Sequence, residues 1–133
     1  MAVGIVVVSH SARLADGVKE LAGQMAGAEV KIAATGGGPD DTLGTNAVQI
    51  EAAINRVYGD DGVLILVDLG SAVLSAEVAV ESLPPERQEH VLISNAPLVE
   101  GAVVATVEAS IGASLLNVEA AAVRAGSMPK VER

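Results

Sequence analysis

The chain alternates short apolar runs with stretches of helical period. Residues 3–8 (VGIVVV) form a continuous β-branched run, the pattern of a strand covered on both faces. Leu14, Val18, Leu21, Ala22 and Met25 follow at spacings that share one helical face, and Gly27 is the expected stop. Residues 29–33 (EVKIA) alternate and predict a second, less buried strand. The stretch 34–44, with four Gly, one Pro and two Asp, predicts a loop. A second helix is expected from Thr45 or Asn46, either able to cap it, with Ile50, Ile54, Val57 and Tyr58 inward. A turn at 59–62 (GDDG) leads to a third buried strand at 63–68 (VLILVD). Ser71 is placed to cap a third helix with Val73, Ala76, Val80 and Leu83 inward, stopped by Pro84-Pro85. A fourth strand is expected at 90–94 (HVLIS). From Pro97 one long helix should run to Arg124, with Gly126 as its stop and 127–133 as a tail.

This βαβαβαβα order predicts an α/β domain over residues 1–126, a mainly parallel sheet with helices on both faces. The expected architecture is a flavodoxin-like three-layer sandwich with strand order 2-1-3-4 and a long C-terminal helix. Strands 1 and 3 are then neighbours and the winding reverses between them. Chemistry is expected there, outside the carboxyl ends of the strands. Along the last helix Leu98, Val99, Val103, Val107, Ile111, Leu115, Leu116 and Val118 cover more than one face. That predicts a second surface to bury and an isologous homodimer.

Composition narrows the functions. The chain has 133 residues, half of them hydrophobic, and a mean hydropathy of +0.47, which suits one well-filled domain and excludes disorder. With no Phe or Trp and a single Tyr, the core must be aliphatic, and there is no platform for stacking single-stranded bases. Eight Lys and Arg against 17 Asp and Glu leave a net charge of −9. That argues against nucleic acid and anionic membranes, and suits a protein partner with a basic docking face. The absence of Cys excludes thiol catalysis and disulfides. No signal-peptide pattern opens the chain and no run nears the roughly 20 apolar residues that span a bilayer. A cytoplasmic location is expected.

The candidate chemistry lies where strands 1 and 3 end. His10 follows strand 1 in Ser9-His10-Ser11, and Asp68 ends strand 3 in Asp68-Leu69-Gly70-Ser71. Adjacent parallel strands bring the two within or near hydrogen-bond reach. A carboxylate on one imidazole nitrogen sets the tautomer and frees the other nitrogen as a nucleophile. Gly70, Ser71 and Ala72 open a helix, whose terminus favours an anion. His10 and Asp68 are therefore the catalytic candidates. Ser11, Thr45, Gly70, Ser71 and Ala72 are the candidates for holding phosphoryl oxygens. Singly, each has a plainer reading: a loop histidine, a capping carboxylate, an N-cap serine. Their convergence outweighs those readings. His90, at the start of strand 4, reads as structural.

The glycine-rich stretch at 36–41 lacks the Gly-Lys-Ser/Thr of a P-loop and the spacing of a dinucleotide fingerprint, and reads as a mobile loop over the site. Asn95-Ala96-Pro97 is expected at the rim. Two His and no Cys make a metal site implausible, and no tightly bound cofactor is expected. Two other function classes compete. A receiver-like domain phosphorylated on Asp68 would need an acidic pair where Ser9 and His10 stand, and a late lysine where Ser94-Asn95 stands. A non-catalytic regulatory binding module would tolerate His10→Ala.

The segments 5–25, 43–48 (LGTNAV), 67–77 (VDLGSAVLSAE) and 96–102 (APLVEGA) together resemble the dihydroxyacetone-kinase branch of the mannose-type IIA family of the phosphoenolpyruvate-dependent phosphotransferase system. The resemblance covers essentially the whole chain in order. It implies a homodimeric α/β domain in which His10 accepts phosphate from the histidine phosphocarrier protein. It implies onward transfer to ADP on the kinase's nucleotide-binding subunit, with dihydroxyacetone held by a separate subunit. Asp68 matches the residue expected to orient the histidine. Some members carry fused phosphocarrier and enzyme I-like domains. Without these here, a separate phosphocarrier is the expected donor.

Overall fold

A computed structural model describes residues 2–132. In chain order the elements are β1 (Gly4–Ser9), α1 (Ala12–Gly23), β2 (Ile32–Gly36), a short 3-10 turn at Pro39–Asp41, α2 (Ala47–Val57), β3 (Val63–Val67), α3 (Ser71–Glu81), the one-turn α4 (Pro85–Gln88), β4 (Val91–Ile93), α5 (Leu98–Ser110) and α6 (Leu115–Arg124). The four strands form one parallel sheet in the order β2-β1-β3-β4. This is the expected α/β fold and strand order. Central β1 and β3 are unbroken apolar runs because helices cover both their faces. Val3, Ile5, Val7, Leu64 and Leu66 pack under α1, α5 and α6. Val6, Val8, Val63 and Ile65 pack under α2 and α3.

Three expectations need correction. First, β2 begins at Ile32 rather than residue 29, so Thr35 and Gly36 belong to the sheet and not to the loop. Second, the expected single long helix is two. Ile111 closes α5, Gly112 follows at φ +82°, and Ala113 N–H and Gly112 N–H return to Glu108 O (3.2 Å) and Ala109 O (3.0 Å). This is the double hydrogen bond by which a left-handed glycine ends a helix. Ser114 then caps α6, its Oγ accepting from Asn117 N–H at 3.3 Å. Both helices contribute to one side of the core, where Val118 is fully buried.

Third, α2 turns Ile50, Ile54 and Val57 inward as expected, but the inward faces of α1, α3 and α5 are set mainly by small residues. In α1 the buried positions are Ala15, Val18 and Ala22, while Leu14, Leu21 and Met25 are exposed. In α3 they are Ala72, Ala76 and Ala79, with Val73 and Val80 only half-buried. In α5 they are Gly101, Ala102, Ala105, Thr106 and Ala109. Alanine lets a helix axis approach the sheet closely, at near-crystalline packing density, and the larger side chains are left outside. His90 precedes β4 and is exposed; its carbonyl accepts from Val63 N–H at 2.9 Å. Among the described residues, no helix is long and apolar enough to cross a membrane.

Candidate active site

The register of β1 on β3 pairs Val8 with Val67, and Asp68 N–H continues the ladder to Val8 O at 3.1 Å. Asp68 therefore emerges beside Ser9 and His10. Its two oxygens receive four donors. Oδ2 accepts from Ser9 Oγ–H and His10 N–H, both at 2.9 Å. Oδ1 accepts from the His10 ring at Nδ1 (2.9 Å) and from Leu69 N–H (2.8 Å). The Asp68 side chain is 10% exposed and that of His10 25%. A carboxylate so surrounded has no open oxygen to act as a nucleophile, which weighs against phosphorylation of Asp68 itself.

Burial alone would raise the Asp68 pKa. The hydrogen bonds from His10 N–H, the His10 ring and Ser9, with the His10 charge, outweigh it and hold the carboxyl below its usual range. An ionised carboxylate only accepts, so Nδ1 carries the proton of the neutral ring and Nε2 carries the lone pair. Ser71 Oγ lies 2.8 Å from Nε2, within reach to donate its proton there in this neutral tautomer. A depressed folded pKa contributes stability that is fully present above the unfolded value of about 3.9. It is lost as pH falls through the lower folded value. Urea midpoints followed downward from about pH 6 are expected to show this loss, and Asp68→Asn to flatten that part of the acid limb.

Ser9 is the residue that sequence reasoning passed over. It is fully buried, and its hydroxyl accepts Ser11 N–H at 3.0 Å while donating to Asp68. The Ser-His-Ser triplet contained the signal. A polar residue closing an all-apolar strand must find partners, because a buried unsatisfied hydroxyl is costly. Ser9→Ala strands the Ser11 amide, and is expected to cost about 1–3 kcal/mol in a urea titration.

The remaining sequence candidates fall as follows. Ser71 sits in the first turn of α3 behind Gly70, which occupies the cap position, so its side chain serves the histidine and not the helix end. Ala72 is buried and its N–H is taken by Leu69 O at 3.0 Å. Ser11 caps α1, its Oγ accepting from Leu14 N–H at 3.2 Å. Thr45 shares a 2.7 Å hydrogen bond with Ser75, and Asn46 is the cap of α2. Asn95 is exposed at the end of β4, and Pro97 takes the cap position of α5.

The glycine-rich loop is tied down. Gly37 N–H donates to Gly44 O (2.8 Å), Gly38 N–H to Thr42 O (2.7 Å), and Gly44 N–H to His10 O (2.8 Å). The Gly37, Gly38 and Gly44 amides are thus engaged by backbone carbonyls rather than offered to a phosphate, and the loop braces the histidine backbone. Exposed leucines surround the site: Leu43 in this loop (76% exposed), Leu69 beside Asp68 (60%) and Leu74 one turn along α3 (69%).

Residues 4–119 match the family model described as PTS system fructose IIA component. The phosphoryl donor subunit DhaM of the PEP-dependent dihydroxyacetone kinase of Escherichia coli (strain K12) is 47% identical over 116 residues, which make up 85% of this chain and 25% of that one. The chain thus spans about a quarter of the length of this relative. DhaM of PEP-dependent dihydroxyacetone kinase 2 from Listeria innocua is 42% identical over 112 residues, 84% of this chain and 90% of that one. Among solved structures, a protein of unknown function, EF1359, superposes with a TM-score of 0.86 at 39% identity, covering 99% of this chain and all of the other. The dihydroxyacetone kinase of C. freundii shares the fold at a TM-score of 0.57 and 16% identity. On the match over residues 4–119 and these relatives, the chain belongs to the mannose-type IIA family of the phosphotransferase system, within its DhaM group of phosphoryl donor subunits.

Proposed function

We propose that this chain is a phosphoryl carrier that takes phosphate on His10 Nε2 from the histidine phosphocarrier protein and passes it to ADP on the nucleotide-binding subunit of a dihydroxyacetone kinase. The observation that carries this reading is the division of labour on one imidazole. Nδ1–H is tied to a half-buried carboxylate, and Nε2 is turned outward with only a hydroxyl upon it. In the first transfer the Nε2 lone pair attacks phosphorus in line. The new N–P bond forms as the donor's N–P bond breaks, and the donor ring leaves with its electron pair. Asp68 stabilises the positive charge that develops on the His10 ring. Onward transfer reverses this, with a terminal phosphate oxygen of ADP attacking and Nε2 recovering its lone pair.

There is little covalent chemistry for the protein to do, so positioning and charge stabilisation dominate. The Ser71 hydroxyl swings from Nε2 to a phosphoryl oxygen, joined by the Gly70 and Ser71 amides at the α3 terminus. Ser11 and Thr45 offer hydroxyl protons at the rim. The Ala72 amide contributes only by releasing Leu69 O. The exposed leucines suit donors and acceptors that are proteins. The stripe Val99, Val103, Val107 and Ile111 along α5, and separately the exposed Leu14, Leu21 and Met25 of α1, support burial in a homodimer. The carrier works in the cytoplasm, and needs no cofactor of its own.

The test is the intact mass of the chain after incubation with phosphoenolpyruvate, enzyme I and the histidine phosphocarrier. Gain of one acid-labile phosphoryl group supports the reading. No gain, while the phosphocarrier itself is charged, overturns it. A base-labile, acid-stable adduct moves the phosphate to a carboxylate.

A further inference from the structure

Strand β2 is an edge of the sheet, and its outer side is open. Ile5 N–H donates to Lys31 O at 3.0 Å. In a parallel pair the backbone groups of alternate residues face the partner strand. Lys31, Ala33 and Thr35 therefore turn theirs to β1, and Ile32, Ala34 and Gly36 turn theirs outward. Two adjoining hollows of about 310 and 390 Å³ run along this edge between α1 and α2. Exposed Ala12 of α1 and Ala52 of α2 stand in the walls and leave the trough wide.

The charge in the trough runs against that of the molecule. In a chain of net charge −9, the hollow at the Ile32 end is lined by Lys19, Lys31 and Arg56 with one acid, Asp16. The hollow at the Gly36 end has Arg56 and Asp16 alone. Among the described residues, Lys19, Lys31 and Arg56 make no ion pair. The cations flank both faces of a strand laid on the edge. Lys19 stands on α1, the side where Ile32 and Ala34 pack, and Arg56 on α2, the side of Ala33. By the strand's alternation, Lys31 shares the α2 side.

We propose that this trough binds an extended, acidic segment of a partner protein as a fifth strand on β2. The outward backbone groups of Ile32, Ala34 and Gly36 supply main-chain hydrogen bonds, as in other cases of strand addition. The cations select the sequence. Because successive side chains of the added strand point to opposite walls, two consecutive acidic residues meet Lys19 on one side and Lys31 with Arg56 on the other. Small uncharged residues follow at the Gly36 end. The proposal is independent of phosphoryl transfer to His10, although the Gly36 end of the trough abuts the backbone of Ser9 and Ser11.

The test uses the full-length, isotope-labelled chain and blocked peptides Val-Glu-Glu-Val-Thr-Ala and the same sequence reversed, which together cover both strand directions. One of them is expected to shift the amide signals of residues 32–36 and slow hydrogen exchange at Ile32 and Ala34. Its counterpart with both Glu replaced by Lys should bind far more weakly. Lys31→Glu with Arg56→Glu, both at exposed positions, is expected to weaken binding roughly tenfold while leaving the rest of the spectrum unchanged. Equal binding of the Lys peptide, perturbation centred on Leu69 and Leu74, or no perturbation by either peptide up to its solubility limit each overturns the proposal.

Discussion

Exchange of His10 for alanine is expected to abolish phosphoryl uptake outright, and Asp68→Asn to slow it by on the order of 10²–10⁴-fold. The first removes the only candidate nucleophile at the switch point. The second is near-isosteric, and its effect follows from counting protons. Each oxygen of Asp68 receives two donors. An asparagine has one oxygen and one NH₂, so one pair of donors must confront the amide. If the NH₂ faces the ring, Nδ1 becomes the acceptor and the ring proton moves to Nε2, where it blocks attack. If it faces the other way, it meets the donors Ser9 Oγ–H and His10 N–H, and the loop carrying His10 shifts. Rates of uptake followed by intact mass, with circular dichroism to check the fold, separate the two variants. Because both act on one imidazole, the double variant should be no worse than His10→Ala alone. Wild-type rates in Asp68→Asn would leave the carboxylate a purely structural role.

The largest stability effect from a single added methyl is expected at Gly36. A Cβ there would lie 2.1 Å from Ser9 O, 3.0 Å from Ser9 C and 3.3 Å from Ser11 O. All three are backbone atoms, so no side chain can swing aside. The strands must part locally, at the register pair Ser9–Gly36. Gly36→Ala should cost about 3 kcal/mol and lower the urea midpoint at unchanged slope. It should also slow phosphoryl uptake, because Ser9 holds Asp68 and lies under the same strain. Gly17→Ala is the control. Gly17 lies within α1 with open space around it, so alanine there should stabilise by about 1 kcal/mol. Were Gly36→Ala as stable as the parent chain, the close approach of β2 to β1 would be refuted.

The site was legible because its two candidate residues stand immediately after strands whose identity is written in unbroken valine, isoleucine and leucine. Two buried parallel strands leave few topologies, and the reversal between them puts their ends abreast. His10 and Asp68 could therefore be paired on paper. The helices read less well. In α1, Leu14, Leu21 and Met25 have the period of an inward stripe and lie outside, while Val18 and Ala22 of that stripe lie in, joined by Ala15, which hydropathy ranks lower. The break at Gly112 carries a signature in the letters, a glycine followed two residues later by a capping serine. The apolar residues on both sides of it masked that signal.

Sequence alone determined the class of fold, the order of strands and the identity of the histidine–aspartate pair. Each follows from local pattern and from the few ways a right-handed βαβ unit can wind. Only the tertiary structure decided which nitrogen of His10 is free, that Ser9 and Leu69 complete the shell around Asp68, and that Ser71 serves the ring rather than its own helix. It also decided which faces of α1 and α3 turn inward. These depend on distances of about 3 Å between residues far apart in the chain, and on how closely alanine lets a helix settle on the sheet. Neither is encoded in the period of the sequence.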